Sequence, residues 1–116
     1  MLTYLLAFFI LVMAGGAALA VLEHHGRALP LTVSLWHGVL GVAAVVLLVV
    51  EAIARPGNHA VNLSVIVFML TALGGLLLFA FRVSRQRLPM AVVLLHAGFA
   101  VLALILLGMG WMRSGA

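Results

Sequence analysis

Two histidines, His37 and His96, are the residues of this chain best placed to do chemistry. Each lies seven residues after a proline, in Leu29-Pro-Leu-Thr-Val-Ser-Leu-Trp-His37-Gly-Val-Leu-Gly41 and Leu88-Pro-Met-Ala-Val-Val-Leu-Leu-His96-Ala-Gly-Phe-Ala100. A neutral imidazole offers one lone pair to a metal and one N–H to a fixed acceptor, or it relays a proton. Both histidines fall in charge-free apolar stretches, where an imidazole without a partner is expensive. The offset between them is 59 residues, and the same offset lays Gly15-Gly16 on Gly74-Gly75 and Phe9 on Phe68. The pattern predicts one two-helix unit used twice, in units of about 1–57 and 60–116, with the two imidazoles at one depth.

The elements that carry them are transmembrane. With 67% hydrophobic residues, 7% charged residues and a mean hydropathy of +1.40, the 116-residue chain is too apolar for a soluble core with a polar shell. Four charge-free stretches, Met1 to Leu22, Ala28 to Val50, Ala60 to Phe81 and Leu88 to Met112, each reach the roughly 20 residues needed to cross about 30 Å of hydrocarbon. Helices are expected at about 2–22, 30–53, 60–82 and 88–112, in one all-α, up-down-up-down four-helix membrane bundle over residues 1–116. The net charge of +4 comes from six arginines, all in loops or at an end. There they orient the protein and meet headgroups, which excludes a nucleic-acid partner and makes the lipid bilayer the first one. With no cysteine, any metal is held by histidine, carboxylate or thioether.

The first stretch is read as a helix and not as a cleaved leader, because it lacks a basic start and is the counterpart of the third. Glu23-His24-His25-Gly26-Arg27-Ala28 and Arg55-Pro-Gly-Asn-His59 read as tight turns between antiparallel neighbours, with Asn62 or Ser64 capping the third helix. Arg27, Arg82, Arg85 and Arg87 lie on one face, against Arg55 and Arg113 on the other. The positive-inside rule then puts the first and third loops in the cytoplasm and both termini in the periplasm of a bacterial inner membrane.

Helices 2 and 4 run the same way, and about 1.5 Å of rise per residue places both histidines roughly 12 Å in from the arginine-rich face. On the diagonal of a square bundle, with neighbouring axes 8 to 10 Å apart, the gap is roughly 12 to 14 Å, which suits a flat macrocycle with an imidazole on each face. Gly15, Gly16, Gly74 and Gly75 strip the flanking helices of side chains at this depth. Gly41 and Ala44, with Ala100 and Ala103, keep the histidine faces small.

In this arrangement the chain resembles the membrane b-type cytochromes, in which a four-helix bundle holds haem by histidines on different helices. The resemblance covers the whole chain and rests on His37, His96 and the glycines around them. It implies one haem b, with iron ligated by His37 and His96, and electron transfer between quinone and a partner, by the protein alone or within a larger redox complex or homo-oligomer. Multi-haem members carry histidine pairs near both faces, whereas the outer face here has only His59, so one haem is expected. Its propionates are expected to point toward Arg27, Arg82, Arg85 and Arg87.

His24 and His25 read as interfacial, His59 as solvated, and the scattered methionines as filling. Glu51 is expected to pair with Arg55, Trp111 to anchor at the interface, and Trp36 to pack on the cofactor. No nucleotide loop or flavin fingerprint is present, so the chain is not read as a complete enzyme. Two other classes fit the length. One is a small four-helix transporter, although the first helix lacks the embedded glutamate of the small multidrug-resistance exporters. The other is a cofactor-free structural subunit of a larger membrane complex.

Overall fold

A computed structural model describes residues 1–27 and 29–114. It is an all-α bundle of four helices: α1 (Leu2–His24), α2 (Leu31–Ala54), α3 (His59–Val83) and α4 (Met90–Arg113). Each is long and apolar enough to span a membrane, which makes this an integral membrane protein with four candidate spans. The bounds lie within two residues of those expected, except that Ala28, the expected start of the second apolar stretch, lies outside the described residues. The same is true of residues 115 and 116, the end of the expected second unit.

The helices run up, down, up and down. Each of α1 and α3 packs beside α2 and α4, so α1 faces α3, and α2 faces α4, across the diagonals. The closest pair is α3 with α4. Only a thin strip of each helix is buried; Leu2, Leu5, Phe9, Ala44, Leu48, Val61, Phe68, Ala103 and Leu107 form the core, and the other faces present leucine, valine and isoleucine outward. In lipid such faces are already solvated, so cohesion rests on close packing and interhelical hydrogen bonds. At the centre, the Phe9 and Phe68 rings stack with centroids 4.0 Å apart and planes 15° from parallel.

The helix ends differ from expectation in three places. First, α1 runs through Glu23 and His24 before it turns. Gly26, at φ 73°, takes the left-handed position there, with Arg27 N–H donating to Leu22 C=O and Gly26 N–H to Glu23 C=O. These two bonds satisfy orphan carbonyls of the last turn as a Schellman motif. The third helix ends the same way, with Arg85 at φ 56° in the left-handed position, Gln86 N–H donating to Phe81 C=O and Arg85 N–H to Arg82 C=O.

Second, α3 is capped by Asn58, whose Oδ1 accepts from Val61 N–H at 3.2 Å. Neither Asn62 nor Ser64 serves as the cap. The helix starts earlier than the apolar run, so Asn62 already lies in its first turn and Ser64 Oγ donates back to Val61 C=O. Third, Pro30 and Pro89 stand just outside α2 and α4 with ψ of 142° and 123°, and the helices begin at the next residue.

Candidate functional site: a histidine pair seated on glycine

Because α2 and α4 run in the same direction across the diagonal, His37 and His96 reach the same level of the bundle. Their ring centroids are 6.5 Å apart and their planes cross at 82°. Both side chains are half-buried, so the pair sits inside the bundle and not on its lipid-facing surface.

The glycines act on the rings directly. A Cβ on Gly16 would stand 2.7 Å from His37 Cε1 and 3.0 Å from His37 Nε2. One on Gly75 would stand 3.0 Å from His96 Cε1, and one on Gly74 would be 3.6 Å from His96 Nδ1. The sequence reading reserved the space over these glycines for a macrocycle; in the structure the imidazoles themselves lie there. Gly16 on α1 and Gly74-Gly75 on α3 are therefore seats, each allowing a ring to lie against helix backbone.

The remaining expected site residues divide. Gly15 is exposed with nothing within 4 Å of where its Cβ would be, because it is one residue, about 100° of helix, from Gly16. Gly41 has Val12 Cγ1 at 3.8 Å, an ordinary contact between α2 and α1. Ala100 is half-buried, while Ala44 and Ala103 are fully buried. Trp36, expected on the cofactor, is 64% exposed: adjacent helix positions point to different faces, and His37 holds the inward one. The Trp111 indole N–H donates to Thr3 Oγ1 at 2.9 Å and ties α4 to α1.

At the arginine-rich end, Arg82 donates to Glu23 at 2.9 Å, joining α3 to α1, while Arg27, Arg85 and Arg87 are exposed around it. His24 and His25 lie there edge to face, 5.8 Å apart. At the opposite end, the expected pair of Glu51 and Arg55 is present at 2.8 Å. His59 is exposed beside a shallow pocket of about 180 Å³ that it shares with Gly57, Asn58 and Arg113.

Sequence reasoning missed the acceptor that orients His96. Its Nδ1 lies 2.8 Å from the backbone carbonyl of Thr71 on α3. A carbonyl only accepts, so Nδ1 carries the proton, and in the neutral ring Nε2 is left with a bare lone pair. No sequence signal marks such a backbone group, because every residue has one. His37 Nδ1 is also buried, and it makes no hydrogen bond as close as that of His96 Nδ1. Its backbone neighbour is Val12 on α1, 59 residues before Thr71, the residue whose carbonyl holds His96.

Among the described residues, no three histidine, aspartate or glutamate side chains come together. The pair thus offers a metal two protein donors, fewer than the three or four of a zinc site. The chain matches no protein-family model, no curated protein and no solved structure.

Proposed function

We propose that this protein is a small membrane cytochrome b, or the haem-bearing subunit of a larger redox complex, which holds one haem b between His37 and His96. It passes electrons between quinone and a partner. The observation that carries this reading is the separation of the two rings across the α2–α4 diagonal. Two metal–imidazole bonds of about 2 Å each imply ring centres roughly 6 Å apart, close to the 6.5 Å found. A macrocycle supplies the other four iron ligands, which two histidines on facing helices leave open.

The chain's own residues have definite parts in this reading. His96 donates its Nδ1 proton to Thr71 C=O, which leaves the lone pair on Nε2, the atom that would hold the iron, and raises its basicity. Gly16, Gly74 and Gly75 let both rings recede toward the flanking helices and keep side chains out of the level between them. The stacked Phe9 and Phe68 close the bundle toward the opposite end and exclude water there. Arg27, Arg85 and Arg87 provide positive charge for propionates, whereas Arg82 is already matched by Glu23. When bound, the haem supplies the one-electron chemistry.

The same proposal includes a two-helix unit used twice. Buried residues fall in pairs with an offset of 59: Leu2 with Val61, Leu5 with Ser64, Phe9 with Phe68, Ala44 with Ala103 and Leu48 with Leu107. The left-handed turn positions Gly26 and Arg85 keep that offset. So do three pairs that meet each other, Phe9 with Phe68, His37 with His96 and Glu23 with Arg82, as residues on a two-fold axis must.

The test is optical. Purified protein is expected to show a Soret band and a haem b pyridine haemochrome, and a His37→Ala/His96→Ala double variant of unchanged helical content is expected to lose both. An undiminished band in the double variant overturns the ligand assignment. A wild-type protein that stays colourless when supplied with haemin favours the transporter or structural-subunit reading.

A further inference from the structure

We propose that the cavity between the last turns of α2 and the first turns of α3 binds the headgroup of a membrane quinone. The choice of a quinone among flat aromatic ligands rests on the redox reading above. The cavity and its hydrogen-bonding groups stand without it.

The cavity, of about 290 Å³, is lined by Val49, Ala52, Ile53, Pro56, Asn62 and Val65. Its volume is near the roughly 300 Å³ at which small-molecule sites begin. Ile53, on the rim, is 75% exposed, so a headgroup with an apolar tail can enter from the bilayer. The one polar side chain of the lining is Asn62. Its amide has two N–H donors and one acceptor oxygen; one N–H goes to Pro56 C=O at 3.0 Å, and the other N–H and the oxygen have no partner among the described residues. That leaves a donor for a quinone carbonyl and an acceptor for a quinol hydroxyl, so one side chain serves both redox forms.

The other half of the bundle shows what such a space accepts. Counting 59 positions on from Ala52 gives Trp111, and counting 59 back from Asn62 and Val65 gives Thr3 and Leu6. Ala52, Trp111, Val65 and Leu6 all pack against the core, so the two sets hold corresponding places, one where α2 meets α3 and one where α4 meets α1. Between α4 and α1 the Trp111 indole fills that place and donates its N–H to Thr3 Oγ1 at 2.9 Å. Between α2 and α3 the side chain is the single methyl of Ala52, and the corresponding space is the cavity beside Asn62. A flat two-ring aromatic with a hydrogen-bonding group at its edge is what the bundle itself sets in this position, and a naphthoquinone headgroup has that form. Asn62 lies nine residues before Thr71, so the cavity stands roughly 14 Å along the bundle from the level of His96.

The experiment uses full-length, haem-free protein in detergent and a photoreactive azidonaphthoquinone, with the labelled residues found by mass spectrometry. Label is expected within residues 49–65 and is expected to be competed away by menadione. Ala52→Trp copies the arrangement at Trp111 and is expected to lower menadione affinity at least tenfold with helical content unchanged. Asn62→Leu keeps an apolar lining, removes both the donor and the acceptor, and is expected to weaken binding about tenfold. If Ala52→Trp fails to fold, Ala52→Trp/Asn62→Thr, the pair found at Trp111 and Thr3, replaces it.

Label spread evenly over the four helices, as from quinone dissolved in the micelle, overturns the inference. So does label concentrated at the arginine-rich end, or unchanged menadione affinity in the Trp or Leu variants. Haemin uptake is scored separately. A chain that takes up haem but is not labelled within 49–65 keeps the haem reading and loses this one, whereas a chain that stays colourless and is labelled there keeps the quinone site and loses the haem reading.

Discussion

The two hairpins of the bundle are held together in different ways. Between α3 and α4 there are two interhelical hydrogen bonds, Asn58 Nδ2 to Gly110 C=O at 2.9 Å near one end and His96 Nδ1 to Thr71 C=O at 2.8 Å deeper in. Gly110 also lies so close to α3 that a Cβ there would meet Val61 Cγ2 at 2.5 Å and Val61 N at 3.0 Å. Between α1 and α2 the corresponding contact is that of the His37 ring with the Val12 backbone, and at the position 59 residues before Gly110 the chain carries Glu51, which turns to Arg55 instead. One hairpin is a clamped scaffold, and the other docks on it through Phe9, Glu23 and Thr3.

The largest expected effect tests the clamp. Gly110→Ala forces Val61 away and is expected to destabilise the protein by about 1–3 kcal/mol, as overpacking does. Gly41→Ala, whose Cβ meets only Val12 Cγ1 at 3.8 Å, is expected to be neutral or slightly stabilising. Denaturation in mixed micelles measures both, and an equal cost at the two glycines would erase the contrast between the hairpins.

Asn58→Ala removes the α3 cap and the tie to Gly110 together, for an expected loss of about 1–2 kcal/mol. Asn58→Asp sharpens that result. It keeps the capping oxygen and loses the donor, so it is expected to recover the capping share alone; full recovery would show that the tie to α4 contributes nothing.

The loops supply a smaller effect of opposite sign. Arg85→Gly relieves a left-handed side-chain residue and is expected to gain at most about 1 kcal/mol, whereas Gly26→Ala is expected to lose about as much. A loss in both would mean that Arg85 has a contact worth more than its backbone strain. Smallest of all, Glu23→Gln breaks a partly exposed ion pair and is expected to cost less than about 0.5 kcal/mol, diminishing with salt.

The helices were legible because charge-free runs of membrane length admit few other structures, and the histidine pair because two prolines start equivalent helices at equal distances from it. Gly110 was not legible, since a glycine in an apolar helix has many uses and only the arrival of Val61, from 49 positions earlier, selects one. The link between Glu23 and Arg82 was hidden because each looks like an ordinary loop charge until α1 and α3 extend past their apolar runs. Trp36 misled because adjacency in sequence puts neighbouring helix residues on different faces. The role of the glycines was half visible: their depth follows from counting residues, but whether ring or macrocycle lies on them depends on rotamers that spacing does not encode.

The bond from Trp111 to Thr3 brings the first turn of α1 beside the last turn of α4, at the same end of the bundle as the turn between α2 and α3. A chain joined there by a short linker and reopened between Arg55 and His59 would read α3, α4, α1, α2. Every helix would keep its direction through the bilayer, and both new ends would emerge where the old ones did. Such a circular permutant would insert the clamped hairpin first, so comparing its yield with that of the natural order would reveal whether assembly depends on which half leaves the ribosome earlier.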